Sequence, residues 1–311
     1  MKGLRVALAT AALFAAAGLL TFPAPEDAQY GHAASRPLLL PATPLRVIFG
    51  GDMMFDRSVR LAIEENGPNH VFSCIRDLLW EADLVVANLE GPITGYPSVS
   101  AGSKVGDENN YTFTFATSTA DLLYDHNIRV VNLGNNHILN FGYIGVASTT
   151  EALREAGIAY FGDPPNYFAY PAFIKGVPIA FINYSEFGGH KKTTLAHILE
   201  ARTGGYVPVV YTHWGDEYAT STPERLRVLA HEFVDAGAES VIGSQPHVVG
   251  EHEVYRGRHI YYSLGNFVFD QYWNESVRRG LLLEVSFNPT GVVSVEEIPI
   301  DNQTDRRTCA V

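Results

Sequence analysis

The most constraining feature of this sequence is a repeated junction: a short apolar run, long enough for one strand, followed at once by a polar tip. Residues 45–49 run into Gly50-Gly51-Asp52, 83–87 into Asn88-Leu89-Glu90, and 129–133 into Gly134-Asn135-Asn136-His137. Residues 207–212 deliver His213, and 240–243 lead to Gln245-Pro246-His247. Apolar runs this short, bounded by turn-forming residues, have the length of buried strands. Helical patterns lie between them, over residues 71–80, 119–127, 146–156, 195–202 and 223–236, the last opening on Pro223 as a first helical turn tolerates. With a short strand over 158–161, the first half alternates strand and helix, which predicts a sheet with helices packed outside it.

The second half is richer in strands. Residues 167–174 and 178–184 predict a hairpin about Lys175-Gly176-Val177, and hairpin-like strands follow over 251–255, 259–263, 281–287 and 292–298. Together the halves predict two packed sheets with helices outside. Hydrophobic residues make up 46% of the chain, enough to fill such a core.

The N-terminus predicts export. Lys2 and Arg5 precede an apolar run over residues 6–22, and a Pro/Gly-rich stretch follows. This order reads as a secretory signal or an uncleaved membrane anchor. The run is slightly short for a span of ~20 residues, and His32-Ala33-Ala34 is a poor cleavage site, so both readings stand. Either places the working domain outside the cytoplasm. The expected organisation is a leader or anchor at 1–22, a linker at 23–44, one domain over 45–300 and a tail at 301–311. Lys and Arg total 22 against 34 Asp and Glu, a net charge of −12, which argues against nucleic acid as a partner. An acidic substrate would need a local cation, such as a bound metal. The two cysteines, Cys74 and Cys309, form no CxxC pair, which excludes a thiolate zinc knuckle. Cys74 sits among apolar residues and Cys309 in a polar tail, and both read as unpaired thiols.

Chemistry concentrates at the strand tips. The carboxyl ends of strands form the ligand crevice of open α/β sheets, and here they carry Asp52, Glu90, Asn136, His137, His213 and His247. Taken singly, a strand-end Asp reads as a helix cap and a lone His as a satisfied core residue. Their recurrence along one chain favours a shared site. Carboxylate, amide and imidazole ligands without thiolate suit Mn, Fe or Zn, and the histidines fit Ca poorly. Such a set can hold one divalent ion or two; a pair about 3.5–4 Å apart activates water and clamps a phosphoryl oxygen. Gln245, Asn88, Asn266 and Glu217 are further metal or pocket candidates, although Gly265-Asn266 also reads as a chain turn. Asp216 and Glu217 either orient His213 or cap the region before the helix at 223. Trp214, Tyr218, Phe267 and Phe269 read as core or pocket wall. No Gly-rich phosphate loop, Gly-x-Ser-x-Gly elbow or Cys/His nucleophile pair is present.

Gly51-Asp52-Met53-Met54, Asn88-Leu89-Glu90-Gly91-Pro92-Ile93-Thr94, Asn135-Asn136-His137-Ile138-Leu139-Asn140-Phe141-Gly142, His213-Trp214-Gly215-Asp216-Glu217-Tyr218, Ile242-Gly243-Ser244-Gln245-Pro246-His247-Val248 and Tyr262-Ser263-Leu264-Gly265-Asn266-Phe267-Val268-Phe269-Asp270-Gln271 occur in this order. Together, over residues 45–298, they resemble the CapA (PgsA) poly-γ-glutamate capsule biosynthesis family, a branch of the calcineurin-like metallophosphoesterase superfamily. The resemblance implies a metallophosphoesterase-like four-layer α/β/β/α sandwich. It implies Asp52 as a terminal ligand of one metal, with His247, and Glu90 as the bridge. Asn136 and His213 would hold the second metal, and His137 would donate a proton to the leaving group.

Two departures qualify this. The superfamily usually carries Asp-x-His at the first strand, where this chain has Asp52-Met53-Met54, and His-x-His at the late strand, where it has Gln245-Pro246-His247. A thioether is no substitute for imidazole on a hard divalent ion, so one metal is expected to bind firmly and a second weakly. The resemblance further implies a role in making, exporting or anchoring poly-γ-glutamate or a related capsule polymer. The expected chemistry is metal-assisted hydrolysis of a phosphoester or an amide. Expected partners are a cell-surface polymer or phosphoester substrate and subunits of a membrane synthase. Two alternatives stay open: an extracellular metallophosphoesterase or nucleotidase, and a non-catalytic scaffold of a polymer synthase.

Overall fold

The computed structural model describes residues 43–311, so the leader at 1–22 and nearly all of the linker lie outside the described residues. The strand β1 (Leu45–Met53) shows how the layers are built. Val47 and Phe49 enter one core cluster, whereas Ile48 and Met53 enter another. In β2 (Leu84–Leu89), Leu84 and Val86 follow the first pair, and Val85, Ala87 and Leu89 the second. Successive strand side chains point to opposite faces, so apolar runs without alternation mark a sheet buried on both sides.

That sheet continues through β3 (Ile128–Asn132) and β4 (Ala159–Phe161), in parallel with β1 and β2. On its other flank β12 (Arg279–Asn288), β13 (Gly291–Asn302) and β14 (Thr308–Ala310) add antiparallel, and β11 (Asn266–Val268) joins the end of β1. The second sheet has the order β5 (Tyr170–Ile174), β6 (Val177–Ser185), β7 (Val207–His213), β8 (Ser240–Ser244), β10 (Arg258–Tyr261) and β9 (His252–Tyr255). All three expected hairpins form, β5–β6, β9–β10 and β12–β13, and β10 also pairs in parallel with β8.

Helices cover both outer faces. The helices α1 (Arg57–Asn66), α2 (Arg76–Glu81), α3 (Thr119–Asp125) and α4 (Gly142–Glu155) share a core with the first sheet. The helices α5 (Lys191–Thr203) and α6 (Glu224–Ala236) cover the second. α6 buries Leu226, Ala230, Phe233 and Val234, a spacing that puts one apolar stripe on the sheet. The middle core joins the two sheets through Phe49, Phe161, Phe181, Tyr211 and their neighbours. This is the expected α/β/β/α sandwich. A short helix, α7 (Glu275–Arg278), precedes β12.

Two local expectations are overturned for one reason. The cysteines are not unpaired: Cys74 and Cys309 form a disulfide, with Cα atoms 4.9 Å apart across 235 positions. Nor is 301–311 only a polar tail, because β14 pairs with β13 there. Thr308 donates its amide to the Val71 carbonyl (2.8 Å) and its hydroxyl to the Phe267 carbonyl (2.7 Å), setting Cys309 beside Cys74. The same tie shortens the helix expected over 71–80 to α2, and residues 69–75 form turns instead. Phe72 in that segment is fully buried against Phe55, Phe267 and His126, which contributes roughly 2–3 kcal/mol.

His126 carries a pH prediction. It is fully buried, its Nδ1–H donates to the Leu122 carbonyl (2.8 Å), and Nε2 has no hydrogen-bond partner. Burial lowers its pKa from the ordinary 6.5. The unfolded chain therefore takes up this proton before the native one, and stability falls as pH drops below 6.5, by at most about 1.4 kcal/mol per pH unit. His126→Phe should reduce the loss of Tm between pH 7.5 and 5.5, read by calorimetry. An unchanged loss rejects the assignment.

Candidate metal centre

The Gly50-Gly51 pair lets β1 deliver Asp52. A Cβ on Gly51 would overlap the Gly265 carbonyl, and one on Gly50 would press on the Phe267 ring. Without side chains, β1 leaves β12 and pairs with β11, placing Asp52 opposite Asn266 on one side and Asn88 on the other. Asp52 is fully buried; its Oδ1 accepts from Asn88 Nδ2 (2.8 Å) and its Oδ2 from the Gln245 amide (3.0 Å). Burial alone would raise this carboxyl. The His213 and His247 rings beside it outweigh burial and hold it well below the usual carboxylate range.

Glu90, just past β2, is also fully buried, and neither of its oxygens has a hydrogen-bond partner. Burial raises its pKa well above the ordinary value, and the charges of Asp52 and Glu217 push the same way. Three imidazole Nε2 atoms face Glu90 Oε1: His213 and His247 at 3.8 Å each, and His137 at 4.0 Å.

The ring orientations follow from their outer hydrogen bonds. Ser244 donates its hydroxyl to the Thr212 carbonyl (3.0 Å), so its oxygen accepts His213 Nδ1–H (2.9 Å). Asn266 commits its amide nitrogen to Val277 O (2.9 Å) and Gln271 Oε1 (3.1 Å), leaving Oδ1 to accept His247 Nδ1–H (2.9 Å). Asn140 Oδ1 accepts the Phe113 amide (2.8 Å) and His137 Nδ1–H (3.1 Å). Each ring thus turns an Nε2 lone pair inward. His213 Nε2 also lies 2.9 Å from Asn136 Oδ1.

The centre therefore presents carboxylates, an amide oxygen and imidazole lone pairs, with no chain donor on Glu90. Buried acceptors packed without donors are costly unless a cation lies among them. Ligand atoms of Asp52, Glu90 and His247 all lie within 4.8 Å of one another, so a shift of a few tenths of an ångström brings them inside the roughly 4.4 Å that two ligands of one ion can span. The residues fit a divalent ion.

The remaining candidates fall into place around this core. Gln245 (φ 99°) and His247 (φ 57°) both adopt left-handed backbone, a conformation that clusters at functional sites. Gln245 Oε1 is buried without a partner, whereas Asn88 turns its amide nitrogen to Asp52 and supports it from behind. Met54 points into the helix-side core, where its sulfur accepts the Asp56 amide (3.0 Å), and offers no ligand. Asp216 and Glu217 are exposed, and the orienting role weighed for them on His213 belongs to Ser244. Asp270 pairs with Arg57, whose guanidinium lies over the Phe113 and Phe269 rings. Trp214, Phe267 and Phe269 are buried walls, and Tyr218 stands at the rim. Ser244 and Asn140 were missed from sequence, although each sits beside a motif histidine.

Comparison with known proteins agrees with this geometry. Residues 46–271 match the family described as Bacterial capsule synthesis protein PGA_cap, and that span contains every residue of the centre. The chain is 31% identical over 278 residues to the PGA biosynthesis protein CapA of Bacillus subtilis (strain 168), covering 83% of this chain and 71% of the relative. It is 27% identical over 283 residues to the Capsule biosynthesis protein CapA of Bacillus anthracis, covering 81% of this chain and 66% of the relative. The chain thus spans only part of each relative's length. With the matched span and the buried Asp52–Glu90–His247 triad of calcineurin-like type, the chain belongs to the bacterial capsule synthesis protein PGA_cap family.

Proposed function

We propose that this protein is an extracytoplasmic, metal-dependent hydrolase that acts on a capsule polymer of the poly-γ-glutamate type or on a phosphoester linked to its synthesis. The observation that carries the chemistry is Glu90: a buried carboxylate with no donor, faced by three imidazole lone pairs. Asp52, Glu90, Asn136, His213 and His247 would hold the metal, which when bound supplies Lewis-acid activation of water and of a substrate oxygen. The ligand set suits Mn, Fe or Zn. Met54 offers no ligand and Gln245 offers only a neutral amide, so one ion binds tightly and a second weakly. The biological part rests on the relatives, whose names assign them to PGA and capsule biosynthesis. The disulfide supports export, because such bonds persist in oxidising compartments. Among the described residues no helix is long and apolar enough to cross a membrane.

His137 handles the proton. Burial lowers its pKa to about 4, so near neutral pH its Nε2 accepts a proton. Donation to a leaving group, the role implied by the superfamily, requires that the ring first be charged. Phe113 packs against the ring at a tilt of 34° with centroids 4.3 Å apart, and Asn140 fixes its orientation. His137→Ala should lower kcat by ~100-fold or more with metal content unchanged, as loss of a general acid–base group does. Elemental analysis of chelator-free protein, then assays on poly-γ-glutamate and a generic phosphodiester, test the whole reading. Polymer shortening or ester cleavage dependent on metal supports it; an absence of bound metal and turnover refutes it. The reduced ligand set favours a second reading, a scaffold for a membrane synthase, for which polymer binding without turnover is the signature.

A further inference from the structure

Behind Asp52 runs a chain of amides that the metal centre does not itself use. Asn88 Oδ1 accepts from Asn132 Nδ2 (2.9 Å) and Asn135 Nδ2 (3.1 Å), and Asn132 Oδ1 accepts from Asn183 Nδ2 (2.8 Å). Asp52, Asn88 and Asn132 are direct cross-strand partners on β1, β2 and β3, and Asn183 reaches them from β6 in the opposite sheet. All are buried.

The direction of the chain is dictated at one end. An ionised carboxylate only accepts, so Asn88 must turn its nitrogen to Asp52, which leaves its oxygen facing outward. Asn132 must then do the same, and so must Asn183. The aligned amide dipoles all present their positive ends toward Asp52. At the far end, Asn183 Oδ1 is buried with no hydrogen-bond partner. One step back along the same face, Val86 and Val130 are ordinary apolar core. Apolar side chains at 132 and 183 would avoid the cost of burying unsatisfied amides. The packing also makes room for Asn183: a Cβ on Gly134 would overlap its amide group.

We propose that Asn132 and Asn183 are positioning residues that act through Asn88 to aim the Asp52 carboxylate at the metal. The proposal rests on the metal-centre reading above. Outer residues that orient ligands change metal affinity by roughly 10–100-fold.

The test titrates Mn2+ into chelator-treated full-length protein by calorimetry and records the Tm of the same samples. Asn183→Leu, close in size, should weaken Mn2+ binding about tenfold without lowering Tm. Gly134→Ala should weaken it similarly by displacing Asn183 while leaving every polar residue in place, and it carries the test if the first variant does not fold. In an Asn88→Ala background, Asn183→Leu should change affinity less than twofold, because the relay is already cut. Wild-type affinity in both single variants, or additive losses in the double variant, overturns the relay while leaving the metal centre standing. A wild type that binds no Mn2+ overturns both.

Discussion

Protein carrying Asp52→Ala and Glu90→Ala together should retain less than about one-tenth of the divalent metal bound by the wild type, whereas Glu90→Gln alone should raise the Tm of chelator-treated protein. The first effect follows from charge. The two carboxylates carry the negative charge that holds a divalent ion at this centre, and removing both leaves only neutral ligands. The second effect runs against the usual direction of core substitutions. Glu90 lies fully buried with both oxygens unpartnered. A glutamine there keeps the shape, sheds the charge and offers an N–H to acceptors that already surround it. A buried group left unsatisfied costs roughly 1–3 kcal/mol. The gain should depend on pH. The native pKa of Glu90 is raised, so the native state holds this proton above pH 4.5 while the unfolded chain releases it. Stability therefore falls as pH rises from 4.5 toward the native pKa, and the glutamine variant escapes that fall. Metal analysis and calorimetry in chelator check both results. Metal retained by the double variant, or a glutamine variant that melts lower at pH 8, would remove the basis for the centre.

The disulfide should have the other large effect. Cys74 and Cys309 close a loop of 235 positions, and the chain-entropy argument gives roughly 5–6 kcal/mol for a loop that long. For a domain of this size, that corresponds to a Tm loss of roughly 10–24 °C. Cys309→Ser, Cys74→Ser and reductant on the wild type should converge on the same lowered Tm, and reductant should leave the serine variants unmoved. Variants that melt with the wild type would show that the bridge constrains nothing the fold does not already fix. The metal centre lies on other segments, so metal affinity at room temperature should survive reduction.

The side chains that come together were legible because each follows an apolar strand, and their recurrence along one chain favours a shared site over separate caps. Asp52, Glu90, Asn136, His137, His213 and His247 all converge, as the alternation of strands and tips implied. The supporting residues were not legible in the same way. Asn132 closes β3 and Asn183 lies inside β6, where asparagine is disfavoured by local propensity, and only the pairing of β3 with β2 and the facing of β6 give them partners. The disulfide failed for the same reason. Spacing along the chain says nothing of distance in space when the last strand of a sheet returns beside an early loop. The helix expected over 71–80 had the right pattern, and a tertiary tie to Thr308 overrode it.

The order of strands has a consequence for how such a chain comes to be folded. β1 is flanked by β2 on one side and by β12 on the other, where Leu45 meets Phe287. A polypeptide that emerges N-terminus first can assemble β1 to β4, but the opposite flank of β1 stays bare until β12 arrives, some 240 positions after β1. Until then its amide edge and Asp52 are exposed to water, and neither His247 nor the Gly265 carbonyl is in place beside them. A centre able to hold an ion is thus completed late in the life of each molecule, and a chaperone that shields that open edge during synthesis would have a defined surface to hold.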